Sequence, residues 1–409
     1  MAVCQRCAVP AAWKFSRGQI RLFASGASQT RASLAQATRT STESSASLSA
    51  WWRRRQDSGG LSNEAAQKLS QEVTQYAAEQ RPSVTHVVQK DEFLQRLREH
   101  LAETIDGAEV APFGSVVNGF WTPNSDVDVC VRVPGATTRN AQIQVLRQIS
   151  AELTKVESHH VEARFGAQVP ILHWAPLRPG MVSCDISVNN VLAVVNSRLV
   201  GRYVRLDDRL RTLGLCVKAW AAARGINDRS RGTLSSFSLV LMLIHFLQRR
   251  EPPILPSLQD LAFSHNEKPR YINGVDCRFC TDAAQIEREM AYLRGPRSPN
   301  KEDVGTLLLD FFRHFGHEYR SGIIRIRDTR SVLPPGDESK CFLVVDNPFE
   351  VGKDVANVDA SQQGSIRKEF RRAWSYLSQA ASPEGTKHRS FAKQKFLDSG
   401  TDCLCGSCS

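Results

Sequence analysis

Pro112 to Val129 reads PFGSVVNGFWTPNSDVDV. A Gly-Ser pair, Gly114-Ser115, precedes a loop, and Asp126 and Asp128 follow inside an apolar run that continues to Val131. Acid and apolar residues alternate there with the period of a strand, and residues two apart on a strand point to the same face. The pattern therefore predicts two adjacent carboxylates, with Val127, Val129 and Val131 turned to a core. Like charges at that spacing repel unless something neutralises them. A divalent cation does so, and Mg²⁺ typically takes one or two carboxylates plus substrate phosphates. A Gly-Ser turn nearby can bring backbone N–H groups up to a phosphate. The stretch reads as a metal-dependent phosphoryl or nucleotidyl transfer site. An Asp-x-Asp alone also fits two solvated acids on an edge strand, so a third acid matters. Asp185 supplies it, within MVSCDISV at 181–188. Three carboxylates from two strands can hold two metal ions.

Upstream, residues 62–105 carry a helical pattern. Leu94, Leu97 and Leu101 recur three and four apart among charged residues, and Pro82 divides the segment into two helices. Residues 1–42 contain no Asp or Glu, but hold Arg6, Lys14, Arg17, Arg21, Arg31 and Arg39 among many Ala, Ser and Thr. That composition is the signature of an organelle transit peptide. A mitochondrial address is the expectation, with a plastid address or a plain tail on a cytoplasmic protein as alternatives. Residues 1–60 are set outside the fold.

Downstream, residues 140–156 show the apolar stripe Ile143, Val145, Leu146, Ile149 and Leu153 of a helix. Residues 161–165 and 169–174 read as strands and lead to the strand of Asp185, which together make a small mixed sheet. After Asn190 the pattern turns helical. Leu210, Leu213, Val217, Trp220 and Ala221 form a stripe, with Lys218 beside it and able to reach a cleft. The run RGIN at 224–227 ends that helix and GTLSS at 232–236 opens the next. Its hydroxyls and N–H groups offer a seat for a phosphate, although plain helix capping explains the same residues. Further helices are expected at 237–247, 304–315 and 365–380, strands at 323–327 and 342–345, and a tail at 381–409.

The chain has 409 residues, enough for two or three cores. No apolar run reaches the ~18 residues of a membrane-spanning helix, so no membrane partner is expected. The net charge of +11 suggests nucleic acid, but its distribution weakens that argument. Residues 1–55 carry nine Lys and Arg against the single acid Glu43, leaving a net of only +3 on the rest. RNA binding by the body must rest on local patches. The 11 cysteines are scattered, unlike a secreted disulfide scaffold, and read as reduced thiols. Cys277-x-x-Cys280 has no second pair at zinc-ribbon distance, and Cys403, Cys405 and Cys408 lie in the tail.

In this order, the motifs resemble those of the template-independent RNA terminal nucleotidyltransferases, the cytoplasmic-type poly(A) polymerases and terminal uridylyltransferases of the DNA-polymerase-β-like superfamily. The resemblance covers residues 85–375 or so. It rests on Phe113-Gly114-Ser115, Ser125-Asp126-Val127-Asp128, and Cys184-Asp185-Ile186 with Asn189-Asn190. Val217-Lys218-Ala219-Trp220-Ala221 with Gly225-Ile226-Asn227, and Gly232-Thr233-Leu234-Ser235-Ser236-Phe237, continue the series. Residues 303–326 are similar to the poly(A)-polymerase-associated segment, and Asn347-Pro348-Phe349-Glu350 to the nucleotide-recognition loop.

The resemblance implies an α+β fold. A small mixed-sheet nucleotidyltransferase domain at 61–200 would pack against a mostly helical central domain at 201–380, with the helices of 61–105 able to pack on the latter. The active site would lie in the cleft. Asp126, Asp128 and Asp185 would be catalytic and hold Mg²⁺, or Mn²⁺ in its place. Gly114, Ser115, Lys218 and Ser236 would bind the triphosphate. Asn190 and Asn196 would lie near ribose and base, Phe237 would stack on the base, and Glu350 would belong to the recognition loop. The implied reaction adds nucleotides from NTP to RNA 3′ ends.

Three departures bear on that reading. Many members carry a second lysine four residues after the first, where this chain has Ala222, with Arg224 as a stand-in. The position three after Glu350, often His in uridylyl-transferring relatives, is Lys353. The acid expected before Pro348 is Asn347, with Asp346 one place earlier. The missing His favours AMP transfer, with UMP transfer as the alternative. Transfer to a small molecule and a non-catalytic RNA-binding scaffold are the remaining readings. No zinc knuckle or RRM-like module is legible, so an RNA-binding protein partner is expected to select the RNA.

Overall fold

Pro82 breaks the first helical pattern, because a proline in a helix interior removes an N–H and clashes with the preceding turn. Helix α1 spans Asn63–Glu79 and α2 spans Val84–Thr104, with the Ser83 hydroxyl accepting from the His86 N–H as the cap of α2. The computed structural model describes residues 63–156, 158–178, 180–319, 322–328 and 343–380. The basic segment at 1–60, the tail at 381–409 and its cysteines lie outside the described residues.

Strand β1 (Glu109–Phe113) leads into a single turn, α3 (Ser115–Asn118), and then into β2 (Val127–Arg132). Helix α4 (Arg139–Leu153) follows, capped by the Thr138 hydroxyl. Strands β3 (His159–Arg164) and β4 (Ile171–Pro176) form a hairpin, and β5 (Cys184–Val188) closes the sheet. The order is β1-β2-β5-β4-β3, with β2 and β5 parallel and every other neighbouring pair antiparallel. The alternation read from the sequence holds: Val127, Val129 and Val131 are fully buried. They pack with Ile186 against Leu97 and Leu101 of α2 and Leu146, Ile149 and Leu153 of α4. Burying a Leu- or Val-sized side chain stabilises by roughly 1.5–3 kcal/mol. This apolar layer therefore anchors the strands and leaves the side chains at Asp128 and Asp185 on the opposite face.

A second core is helical. It is built from α5 (Val191–Val204), α6 (Asp208–Ala223), α7 (Ser236–Gln248) and α8 (Leu258–Ser264). A short ribbon of β6 (Tyr271–Ile272) and β7 (Val275–Asp276) precedes α9 (Ala283–Arg294) and α10 (Val304–Arg313). Strands β8 (Ile323–Ile324) and β9 (Val344–Val345) pair in parallel, and α11 (Ala360–Ala380) closes the described chain. All residues of α7 from Ser238 to Gln248 are buried, as its unbroken apolar run requires.

The structure departs from the sequence reading at several elements. The strand expected at 323–327 is two residues long, and the closing helix starts at Ala360 rather than at residue 365. The two upstream helices separate: Leu69, Val73 and Ala77 of α1 join the helical core, whereas α2 covers the sheet. Both helices are amphipathic, and nothing in a 3.6-residue period names the surface it will cover. Cys277 and Cys280 are ordinary buried thiols. Cys277 Sγ donates to the Val275 carbonyl, Cys280 Sγ contacts Gln285 Oε1, and burial pushes Cys280 up to about 11, away from the thiolate that zinc needs.

Candidate active site

A cavity of about 520 Å³ is lined by residues of the sheet and of the helical core. Asp126 and Asp128 both line it. Asp126 stands one residue ahead of β2, not within it, and is exposed, its carboxylate accepting a hydrogen bond from the Ser183 hydroxyl. Asp128 lies on β2 directly opposite Asp185 on the parallel strand β5. Burial pushes the Asp128 carboxyl up to about 7, Asp185 and Asp126 add to the rise, and Lys218 and the Ser115 N–H oppose it. A carboxylate that is buried first and crowded by two like charges second is one that a cation would stabilise.

Gly114 makes that corner possible. Its φ of 65° lies in the left-handed region that side chains disfavour, and a Cβ there would overlap the Asp128 carboxylate. Its N–H donates to Ser197 Oγ at 2.8 Å, and that hydroxyl donates to the Ala193 carbonyl on α5. The Gly-Ser pair is thus tied to α5 while Ser115 opens α3 and points its N–H at Asp128.

Asp185 is held from its other side. His173 on β4 is its register partner, and His173 Nδ1 lies 2.7 Å from Asp185 Oδ1. Ligand atoms of Asp126, His173 and Asp185 lie within 4.8 Å of one another, the one such group of three among the described residues. Carboxylate oxygens suit hard divalent cations, and an imidazole that hydrogen-bonds a carboxylate ligand fixes its orientation. The donor set fits a divalent metal site. Sequence reasoning missed His173, since the register that sets it against Asp185 is a long-range property.

Lys218 projects from α6 into the cavity. Burial lowers its pKa while the Asp128 charge holds it up. Its Nζ lies 6.0 Å from the ring centroid of Phe120, a residue of the loop after α3 that is buried in the helical core. Ser236, Phe237 and Asn196 line the same cavity. Ser236 Oγ accepts from Asn227 Nδ2 at 3.1 Å, and Asn196 Oδ1 is buried with no hydrogen-bond partner. Part of the phosphate seat expected at the start of α7 is taken by capping: Ser235 and Ser238 satisfy each other's N–H groups.

Three expected residues stand outside this cavity lining: Asp185, which adjoins it as the register partner of Asp128, and Asn190 and Glu350. Asn190 is the N-terminal flank of α5, and Glu350 pairs with Lys353 Nζ at 2.9 Å. Ala222 is exposed and outside it too. Arg224 does not stand in for a lysine there, because its guanidinium turns to Glu369 of α11 at 3.8 Å. Arg229, which the sequence reading passed over, does line the cavity.

Residues 69–205 match the family described as the mitochondrial-like poly(A) RNA polymerase central palm domain. The poly(A) RNA polymerase cid11 of Schizosaccharomyces pombe is 30% identical over 313 residues, 73% of this chain and 60% of that one. Human poly(A) RNA polymerase GLD2 is 30% identical over 333 residues, 77% of this chain and 65% of its own. A crystal structure of a point mutant of the Cid1 poly(U) polymerase bound to MgATP superposes with a TM-score of 0.66 at 27% identity, covering 80% of this chain and 98% of that one. The chain belongs to the RNA terminal nucleotidyltransferase family. Its α+β architecture is the nucleotidyltransferase fold of Cid1. The chain spans 60 to 65% of the length of the curated poly(A) polymerases named here. Human terminal uridylyltransferase 4, of which it spans 16%, is likewise 30% identical over 273 residues. Both base specificities therefore occur among its relatives. No described helix is long and apolar enough to cross a membrane.

Proposed function

We propose that this nucleotidyltransferase adds nucleotides from NTP to RNA 3′ ends without a template, with AMP preferred over UMP. The observation that carries the reading is the meeting of Asp126, Asp128 and Lys218 in one cavity, beside Asp185 and under Gly114. Relatives of this chain are poly(A) polymerases and uridylyltransferases, and one structure of Cid1 holds its short product ApU.

Asp126, Asp128 and Asp185 would hold divalent cations, Mg²⁺ in this reading, with His173 orienting Asp185. Bound there, the metal supplies charge neutralisation for an attacking 3′-oxygen and a leaving pyrophosphate. The protein's own groups do the rest. Ser115 stands on the cavity wall with its hydroxyl-bearing side chain, the N–H groups of this corner being engaged by Ser197 and Asp128, and Lys218 places a cation beside the polyphosphate. Phe237 offers an aromatic face to a base, which stacks on it whatever its identity. The unpartnered Asn196 oxygen offers an acceptor to a ribose hydroxyl or base amine.

The AMP preference rests on Lys353, at the place where uridylyl-transferring relatives often carry His. Glu350 engages Lys353 as an ion pair near the surface. The mitochondrial address read from residues 1–42 belongs to the same proposal, and fractionation of cells expressing the full chain tests it.

The deciding experiment incubates the purified protein with a labelled RNA oligonucleotide, Mg²⁺ and each NTP in turn. ATP-dependent ladders, lost in Asp126→Ala and Asp128→Ala, are expected. Ladders with UTP alone would transfer the assignment to a uridylyltransferase. Normal tailing by either Ala variant would defeat the active-site assignment.

A further inference from the structure

We propose that Arg229 binds the polyphosphate of the incoming nucleotide and supplies the second cation of the site. The inference rests on the reading above that the cavity receives an NTP. Among the residues lining the cavity, Lys218 and Arg229 are the two that carry positive charge, against Asp126 and Asp128. Lys218 is largely buried, and Asp128 already engages its charge. A nucleoside triphosphate brings about four negative charges into a site that is itself acidic, so one engaged lysine leaves a deficit. The places from which α6 could fill it are spent: Ala222 has no charge and Arg224 faces Glu369.

Arg229 is built to fill that deficit. It opens a single 3₁₀ turn, Arg229–Arg231, just ahead of α7. The neighbouring carboxylate, Asp228, faces away and accepts from the N–H and hydroxyl of Ser230. The Arg229 guanidinium instead donates to Gln168 Oε1 at 2.9 Å, a neutral amide that fixes its direction and leaves its charge unneutralised. Gln168 belongs to the loop of the β3–β4 hairpin. Arg139 clamps that loop through the carbonyls of Phe165, Ala167 and Gln168 at 2.7–2.9 Å. An exposed guanidinium would otherwise sample many rotamers. Here it is held at the cavity wall with donors to spare, and a planar fork of donors matches phosphate oxygens.

The test compares wild type, Arg229→Gln and Arg229→Lys in two measurements. One is equilibrium binding of a non-hydrolysable ATP analogue with Mg²⁺, by titration calorimetry. The other is steady-state tailing with NTP and RNA varied separately. Arg229→Gln is expected to weaken analogue binding and raise the KM for NTP by about tenfold, the equivalent of 1.4 kcal/mol. The KM for RNA should hold, and Arg229→Lys should recover part of the loss. Unchanged analogue binding in Arg229→Gln overturns the inference, as does a rise confined to the KM for RNA, which would make Arg229 an RNA-phosphate contact. A wild type that tails no RNA with any NTP defeats the functional reading instead, and the analogue titration still decides the role of Arg229.

Discussion

Gly114 and Asp128 share one corner of the cavity: the glycine Cα stands where any side chain would overlap the carboxylate, and the next residue's N–H donates to it. The backbone is thus fitted around an acid rather than around apolar packing. Replacing Gly114 by Ala would both strain a backbone at φ 65° and displace the acid. The left-handed conformation costs an L-residue about 1–2 kcal/mol. Displacing a catalytic group by an ångström can cost about 100-fold in rate. Gly114→Ala is therefore expected to lose tailing activity by at least that factor while remaining folded. Circular dichroism alongside the tailing assay checks both halves, and near-normal activity would remove Asp128 from the chemistry.

Asp128 carries a stability signature of its own. Its carboxyl sits at about 7 in the folded protein against 3.8 when exposed. A raised carboxyl costs stability once pH exceeds the unfolded value. The cost grows from about pH 4 to about pH 7 and is constant above that. Asp128→Asn removes it. In chelator, the variant should melt a few °C above wild type at about pH 7.5, with the gap shrinking steadily on acidification and closing near pH 4. Added Mg²⁺ should raise the melting point of wild type alone. Scanning calorimetry across that range decides the matter, and a gap independent of pH would show that the cost of burying this charge beside two others is not stored in this carboxyl.

His173 makes a separate claim. With its Nδ1 2.7 Å from Asp185 Oδ1, it orients a carboxylate that already faces two others. Removing an outer partner of a metal ligand typically weakens metal binding by about 10- to 100-fold. His173→Ala should therefore weaken Mn²⁺ binding, followed by electron paramagnetic resonance, within that range, and leave the melting point in chelator little changed. A Mn²⁺ affinity equal to wild type would reduce the histidine to a spectator.

The parts of this site that were legible in the sequence are those set by local geometry. Period-two alternation placed Val127, Val129 and Val131 in the core and therefore Asp128 on the open face. The need for a residue without a Cβ was written into Gly114. What was not legible depends on pairing across long stretches. His173 meets Asp185 only because β4 runs antiparallel to β5 in one register out of several. Arg229 is held at the cavity wall through Gln168, on a loop some 60 residues earlier that Arg139 fixes. Arg224 was the stand-in that spacing offered, and a carboxylate on α11, far along the chain, claims it. Local pattern shows which residues can do chemistry, and tertiary pairing selects among them.

Phe120 carries the last prediction. It follows α3 and is 1% exposed, buried within the helical core although it belongs to the same loop as Asp126. Its ring lies so close to α6 that a Cβ on Gly214 would overlap it, and one turn further along that helix is Lys218, with its Nζ 6.0 Å from the same ring. One aromatic side chain therefore sets the spacing between the loop of the acids and the helix of the cation. Deleting a buried Phe side chain costs about 3–5 kcal/mol. Phe120→Leu keeps most of the apolar contact and should cost far less stability than Phe120→Ala, yet it loosens the spacing. It is expected to raise the KM for NTP several-fold while remaining folded at assay temperature. Enlarging Gly214 to Ala attacks the same contact from the helix side. If the ring sets the distance, the two single substitutions should not add in the KM, because each disrupts one shared contact. Denaturant melts and steady-state kinetics on the two single variants and the double variant make the comparison. Full additivity would show that Phe120 fills space without gauging the cavity.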